Sequence, residues 1–227
     1  MSPEETLGDA NDARSTSSDV LSATNDADTK IVLQEGSTGN FVEASLVERI
    51  DAPYAKAVDD SWLTYLGAAK ANASAAKEAF PQVEHAHWSW HEKVKATAHL
   101  LPTPTMALEV GGEVQGLILI DTDRRIARLP AQKGMPVVYV DYLATAPWNF
   151  KPIAKNAKYR GVGTVLLRAA IQTSRDLGFK GRIALHSLPQ SEAWYEKLKM
   201  EAVGIDPAKH HLKYYEMTPD QANVFME

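Results

Sequence analysis

The sequence predicts a mixed α/β layer fold. Three observations carry that expectation. Gly111-Gly112 joins two apolar runs, the short-range signature of a hairpin. Two nearly continuous apolar runs, VVYVDYLATAP (137–147) and RIALHSL (182–188), read as strands buried on both faces. An amphipathic segment at 161–177 lies between them, so the three together read as a parallel βαβ unit.

The elements follow in order. Residues 1–28 are rich in Ser, Thr, Asp and Asn and nearly devoid of large apolar side chains, so disorder or weak order is expected there. A linker, a targeting arm or a segment without a role would all fit. The division expected is an acidic tail over 1–40 and one domain over 41–227. IVLQ (31–34) reads as a short strand and FVEASLVER (41–49) as a clearer one. Residues 54–79 are alanine-rich and helical, with Trp62, Tyr65 and Leu66 on one face. Pro81 breaks the pattern, and a second helix is expected from His85 through HAHWSWHEKVKAT. From residue 105 the period becomes two, giving strands at 105–110 and 113–121 around the Gly-Gly turn. After the strand at 137–147 comes the helix at 161–177. Val162, Leu166, Ala169, Thr173 and Leu177, widened by Val165 and Ala170, form its expected sheet-facing stripe. The strand at 182–188, a helix over QSEAWYEKLKM and a last strand LKYYEM (212–217) complete the pattern.

Composition narrows the function. The chain has 227 residues, 44% of them hydrophobic, enough for one sizeable core. It has no cysteine, which excludes disulfides, thiolate metal sites and a cysteine nucleophile, and leaves the compartment open. The N-terminus lacks a basic stretch followed by an apolar one, so no signal peptide is expected. No apolar run approaches the ~18 residues of a membrane span. A cytoplasmic protein without a membrane partner is the expectation. The net charge of −5 is uneven: residues 1–40 carry eight acids and two bases, a local −6, and the remainder is near neutral at +1. Nothing in this distribution resembles a nucleic-acid footprint.

The stretch KYRGVGTVLLRAAI (158–171) carries the strongest local signal. Glycine inside a helix costs about 1 kcal/mol against alanine. Two within three residues therefore mark a turn or a close approach to the backbone. Free N–H groups and the helix dipole at that end favour an anion. Arg160 can add a charged hydrogen bond, and the Thr164 hydroxyl another. It is not a dinucleotide fingerprint, because Leu166 stands at the third glycine position, and no Gly-Lys-Ser/Thr makes it a Walker loop. A tight entry from loop to helix would explain the same glycines, so on their own they leave both readings open.

Their context adds to this. Lys158-x-x-Gly161-x-Gly163 lies between an apolar strand and an amphipathic helix, and Ala193-Trp194-Tyr195-Glu196-Lys197-Leu198 follows downstream. In these features the sequence resembles the GNAT superfamily of acyl-CoA-dependent N-acyltransferases. The resemblance covers roughly 41–217 in element order and is most specific over 137–200. It implies a mixed, mostly antiparallel central sheet with a splayed parallel pair and helices on both faces. It implies acetyl-CoA as co-substrate. The pyrophosphate would lie on Lys158, Tyr159, Arg160, Gly161, Val162, Gly163 and Thr164, and the pantetheine arm along Leu143, Ala144 and Thr145. Tyr195 would donate a proton to the leaving thiolate. The implied acceptor is an amine-bearing small molecule or protein, no metal is implied, and the oligomeric state stays open, a dimer included. Four features depart from the family pattern. Lys158 replaces the usual Arg or Gln, WNFKPIAKNA (148–157) lengthens the link before the loop, Lys199-Met200 replaces Gly-Phe, and Pro189 stands where an asparagine is usual.

An amine nucleophile must also lose a proton. For a lysine-like amine of pKa about 10.4, that costs about 4–5 kcal/mol at pH 7. Asp141, inside an apolar strand, is catalytic, structurally paired or on an exposed face, since buried carboxylates need partners. His186 closes the run RIAL and is a proton shuttle or a satisfied strand-end group. Glu109 on the hairpin can reach the same space from the other side. Tyr195 shares its helix with Trp194 and Leu198, so core packing is its alternative role. His85, His87 and His91 lack metal-site spacing. Trp88, Trp90, His91 and Trp148 are candidate walls of the acceptor cleft, and His210-His211 reads as surface. The expected function is N-acetyl transfer from acetyl-CoA to a primary amine by direct attack in a ternary complex. The alternatives are a non-catalytic acyl-CoA-binding sensor or interaction module, and a protein acceptor recruited through the acidic tail.

Overall fold

The computed structural model describes residues 30–123 and 125–227, so most of the expected acidic tail lies outside the described residues. Strands β1 (Val32–Glu35), β2 (Phe41–Glu43), β3 (Ser45–Val47), β4 (Thr105–Val110), β5 (Glu113–Asp121), β6 (Val138–Thr145), β7 (Tyr159–Arg160), β8 (Ile183–Ser187), β9 (Glu201–Asp206) and β10 (Leu212–Met217) form two sheets. The larger has the order β3-β4-β5-β6-β8-β10-β9, antiparallel throughout except for the β6–β8 pair. The smaller has the order β2-β1-β7.

Period-two alternation sends the strand residues to two cores. Leu108, Ile118, Ile120, Val138 and Val140 face one side of the large sheet, while Ala107, Leu117, Leu119 and Ala144 face the other. Helices α1 (Ala52–Ala75) and α2 (Trp90–Thr97) cover the second side through Ala55, Val58, Trp62, Trp90 and Val94. Helices α3 (Val162–Asp176), α4 (Glu192–Lys197) and α5 (Pro219–Met226) cover the first, through side chains such as Leu166, Ile171, Tyr195 and Ala222. Mixed sheet, parallel pair and helices on both faces all match the expectation. Among the described residues no helix is long and apolar enough to cross a membrane.

The second helix starts at Trp90 rather than His85. Ser89 caps it by accepting from Glu92 N, and the Asp59 carboxylate of α1 accepts from Trp90 N at 3.0 Å and His91 N at 2.9 Å. The strand expected over 41–49 divides at Ala44. The Ala44 N–H bonds Ile31 O and its side chain is buried, so the two halves join different sheets. Leu33 of β1 is 1% exposed, so the folded body includes residues assigned above to the tail. On α3 the buried residues are Val162, Leu166, Leu167, Ala170, Ile171 and Ser174, while Leu177 is 46% exposed. The helix packs on α5 as well as on the sheet, and Ser174 Oγ donates to Arg182 O at 2.7 Å. Both contacts turn the stripe away from the expected Thr173 and Leu177.

One irregularity positions the site. β6 and β8 are paired only from Val138–Val140 to Ile183–Leu185, while β6 runs on to Thr145 against β5. The β5–β6 register slips at the same level. Val140 faces Ile120 and Tyr142 faces Leu119, which leaves Asp141 as the extra residue of a β-bulge.

Candidate active site

Where β6 parts from β8, a cleft of about 730 Å³ opens. That is within the rough 300–1,000 Å³ range of ligand sites. Leu143, Ala144 and Thr145 of β6 line it, as do Tyr159, Arg160, Gly161, Val162, Gly163 and Thr164 at the head of α3, and Tyr195 of α4. Lys158 is not among its walls. Its ammonium lies 2.5 Å from the Glu113 carboxylate, which draws the side chain toward β5.

The two glycines have separate causes. Gly161 is the N-cap of α3 at φ +90°, a left-handed conformation that strains any residue with a side chain. It offers no side-chain cap, and the first intrahelical bond runs from Val165 N to Gly161 O. The Val162, Gly163 and Thr164 N–H groups precede that bond at the cleft wall. At Gly163 a Cβ would stand 3.1 Å from the Trp194 indole, so the helix head and α4 could not keep their present contact.

The long 148–157 segment is anchored rather than loose. The buried Gln115 Oε1 accepts from Trp148 Nε1 at 2.8 Å and Asn149 Nδ2 at 3.0 Å, and Asn149 Oδ1 accepts from Tyr159 N at 2.7 Å. Trp148 is therefore core, edge-on to Tyr65, and not a wall of the cleft. Trp90 is also core, Trp88 packs edge-on to Tyr142, and His91 Nδ1 bonds Ala52 O. The wall on that side is His85 with Phe150, ring centroids 5.4 Å apart. Gln190 Nε2 donates to His85 Nδ1 at 2.8 Å, clasping the segment before α2 to the turn before α4. Trp88 and Trp90 instead line a small cavity of about 40 Å³ that shares His85, Thr145 and Phe150 with the cleft.

The candidate proton-transfer groups separate. Tyr195 is 7% exposed, with its ring beside Trp194 and Tyr215, and among the described residues its hydroxyl has no hydrogen-bond partner. Burial pushes its pKa up, so the phenol stays protonated. Asp141 and His186 are the first residues past the last β6–β8 pair, one on each strand. Burial raises the Asp141 pKa; Arg125, Lys209 and Lys93 oppose that, and Asp121 adds to it. Both His186 nitrogens are engaged: Nε2 is 3.1 Å from Asp206 Oδ2 and Nδ1 is 2.6 Å from Tyr139 Oη. The Arg128 hydrogen bond holds the Asp206 carboxyl down to about 2, so Asp206 is an acceptor, Nε2 carries the proton, and Nδ1 accepts from Tyr139. Burial lowers the His186 pKa, with the Asp206 hydrogen bond opposing. His186 faces a second cavity and not the cleft, and Asp141 is in the wall of neither. Glu109 accepts from the Tyr54 hydroxyl, which ties it to α1 away from the cleft. His210 and His211 are exposed in the turn before β10.

Sequence reasoning missed Gln115, Phe150 and the His85–Gln190 clasp. A glutamine at the head of the apolar run GLILI was the available signal for the first. The clasp joins residues 105 apart and leaves no local trace.

No protein-family model matches the chain, and no curated relative matches it. Solved structures do. A protein assigned to the GNAT family of acetyltransferases, from Desulfovibrio desulfuricans, is 14% identical with a TM-score of 0.50; the match covers 78% of this chain and 99% of that one. An uncharacterized protein from Bacillus halodurans is 9% identical with a TM-score of 0.52, covering 87% of this chain and 94% of that one. Likeness at such identities speaks for architecture, and it agrees with the strand order, the single parallel pair and the cleft between its strands: the chain has a GNAT-like fold.

Proposed function

We propose that the protein is an acyl-CoA-dependent N-acetyltransferase, moving an acetyl group from acetyl-CoA to a primary amine in a ternary complex. The observation that carries this reading is the parting of β6 from β8 beside the uncapped, glycine-built head of α3. The donor set fits the co-substrate. Backbone N–H groups at Val162–Thr164 and the helix dipole suit a pyrophosphate, Arg160 adds a cation, and the unpaired edge of β6 at Leu143–Thr145 suits an amide-bearing arm. Acetyl-CoA supplies an activated acetyl group whose thiol leaves readily.

The residues then divide the remaining work. The cleft holds the reactants together, which is where much of the rate arises. Asp141, made more basic by burial, takes the proton of the attacking amine as the C–N bond forms. Tyr195, buried and without a hydrogen-bond partner among the described residues, gives its proton to the sulfur as the C–S bond breaks. His186, with both nitrogens occupied, positions Tyr139 and Asp206 instead of serving as the base. A cytoplasmic setting, where acetyl-CoA is available, belongs to the same proposal.

Calorimetric titration with acetyl-CoA, followed by an amine panel with thiol release as the readout, tests the proposal. Binding with turnover is expected. No binding at millimolar acetyl-CoA overturns it. Binding without thiol release from any amine or peptide would leave an acyl-CoA-binding module.

A further inference from the structure

The second cavity, of about 430 Å³, lies on the opposite face of the sheet from Tyr195. Val140, Leu185 and Tyr215 point with Tyr195 into one core, and the alternating Tyr139, His186 and Tyr214 point the other way to floor this cavity. Its walls hold four cations, Arg125, Arg128 and Lys133 from the β5–β6 connection and Lys209 from the β9–β10 turn, and among the described residues no carboxylate.

The cations are only partly neutralised. Asp121 takes Arg125 Nε at 2.6 Å, and Asp206 takes Arg128 Nη1 at 2.7 Å. A guanidinium has five donors, so each keeps N–H groups for a further oxyanion. The aromatic floor holds the two forks in place. The Arg128 guanidinium lies 4.2 Å over the Tyr214 ring and that of Arg125 5.1 Å over Tyr139. Lys133 and Lys209 have no ion pair among the described residues. The Tyr139–His186–Asp206 chain of hydrogen bonds fixes the floor, which explains why a histidine with no free nitrogen stands there. Asp141 lies two residues along β6 from Tyr139 of the floor, which sets the proposed base beside the cavity.

We propose that this cavity holds an acidic group of the acceptor, a carboxylate or a phosphate, while its amine reaches the parting of the strands. The substrate is thus an acidic amine. This rests on the acetyltransferase reading above. Strand geometry sets its length. From Tyr139 to Asp141 is about 7 Å, and from Tyr139 to Leu143 about 13 Å. The oxyanion and the amine should be about that far apart, two to four residues of extended peptide.

The test uses the full chain, acetyl-CoA and three amines: 6-aminohexanoate, 6-aminohexyl phosphate and hexylamine. At least one acidic amine should show kcat/KM at least tenfold above hexylamine, and which one does distinguishes carboxylate from phosphate. In the surface double variant Lys133→Gln/Lys209→Gln that advantage, taken as the ratio to hexylamine in the same variant, should fall at least fivefold through KM. Equal use of all three amines, or an equal loss on all three in the variant, overturns the proposal. Binding is read separately, by titrating glutarate and inorganic phosphate into the protein saturated with coenzyme A. Saturable binding weakened in the double variant supports the site even where none of the amines turns over, and no binding of either anion to the parent overturns it. Failure to bind acetyl-CoA overturns the underlying reading instead, and the anion titration repeated on the protein alone then judges the cavity by itself.

Discussion

Replacing Gln115 by methionine tests how the loop beside the cleft is held. Gln115 is 0% exposed. Its Nε2 donates to Glu113 O at 2.9 Å and Glu113 Oε2 at 2.8 Å, and its Oε1 accepts from Trp148 and Asn149. Methionine keeps length and approximate volume, so little of the effect arises from a cavity. Asn149 Nδ2 retains the Gln115 backbone carbonyl at 3.3 Å, but the buried Trp148 N–H loses its partner. An orphaned buried donor costs about 1–3 kcal/mol, and each of the two lost Nε2 bonds about 0.5–1.5 kcal/mol. Allowing for relaxation, the loss should be about 2–4 kcal/mol. At about 2–4 °C per kcal/mol for a domain of this size, Tm should fall by about 4–16 °C in calorimetry. Asn149 also holds the Tyr159 N–H, so acetyl-CoA affinity should weaken in the same variant. A loss below about 1 kcal/mol with unchanged acetyl-CoA affinity would refute the reasoning, because the loop would then be held by something other than this side chain.

Three further outcomes are expected. Gly163→Ala places a Cβ 3.1 Å from Trp194; acetyl-CoA binding by calorimetry should weaken about tenfold, a displacement worth about 1.4 kcal/mol, and unchanged affinity would remove the close-approach argument. Tyr195→Phe removes a hydroxyl without a partner among the described residues, so folding stability should barely change while kcat falls about 10²-fold or more; a wild-type kcat would take Tyr195 out of the mechanism. In the proposed mechanism Asp141 is an ionised base, and burial raises its pKa, so kcat/KM should fall as pH drops through a value above the ordinary carboxylate range; Asp141→Asn should abolish that acid limb and lower the rate about 10²–10⁴-fold, and persistence of the limb in the variant would assign it to another group.

Legibility followed locality. The Gly111-Gly112 turn and the alternation on either side of it are neighbours in the chain, and the hairpin was readable from them. The apolar runs of β6 and β8 marked a parallel pair because burial on both faces removes alternation. The point at which that pair opens depends on register, to which composition is blind; the bulge left only one trace, an acid inside VVYVDYL. β9 escaped notice because it is an exposed edge strand interrupted by Gly204, with no buried face to impose a period. α5 was missed although Thr218-Pro219-Asp220-Gln221 spells a capping box. At the site, the segments 143–145 and 159–164 are contiguous stretches, each with its own signal. Arg128, Lys209 and His186 meet only through folding; of the three only His186, at the end of the run RIAL, carried a local signal.

The short β6–β8 pairing has a mechanical consequence. The large sheet is two panels, one of four strands and one of three, and their shared seam has three residue pairs where β5 and β6 share six. α3 packs mainly over β5 and β6, so it belongs to the wider panel, and it reaches across the seam to β8 and α5. A molecule wedged between the panels above Val140 would supply the rungs that the chain omits, and the protein would be stiffest when loaded.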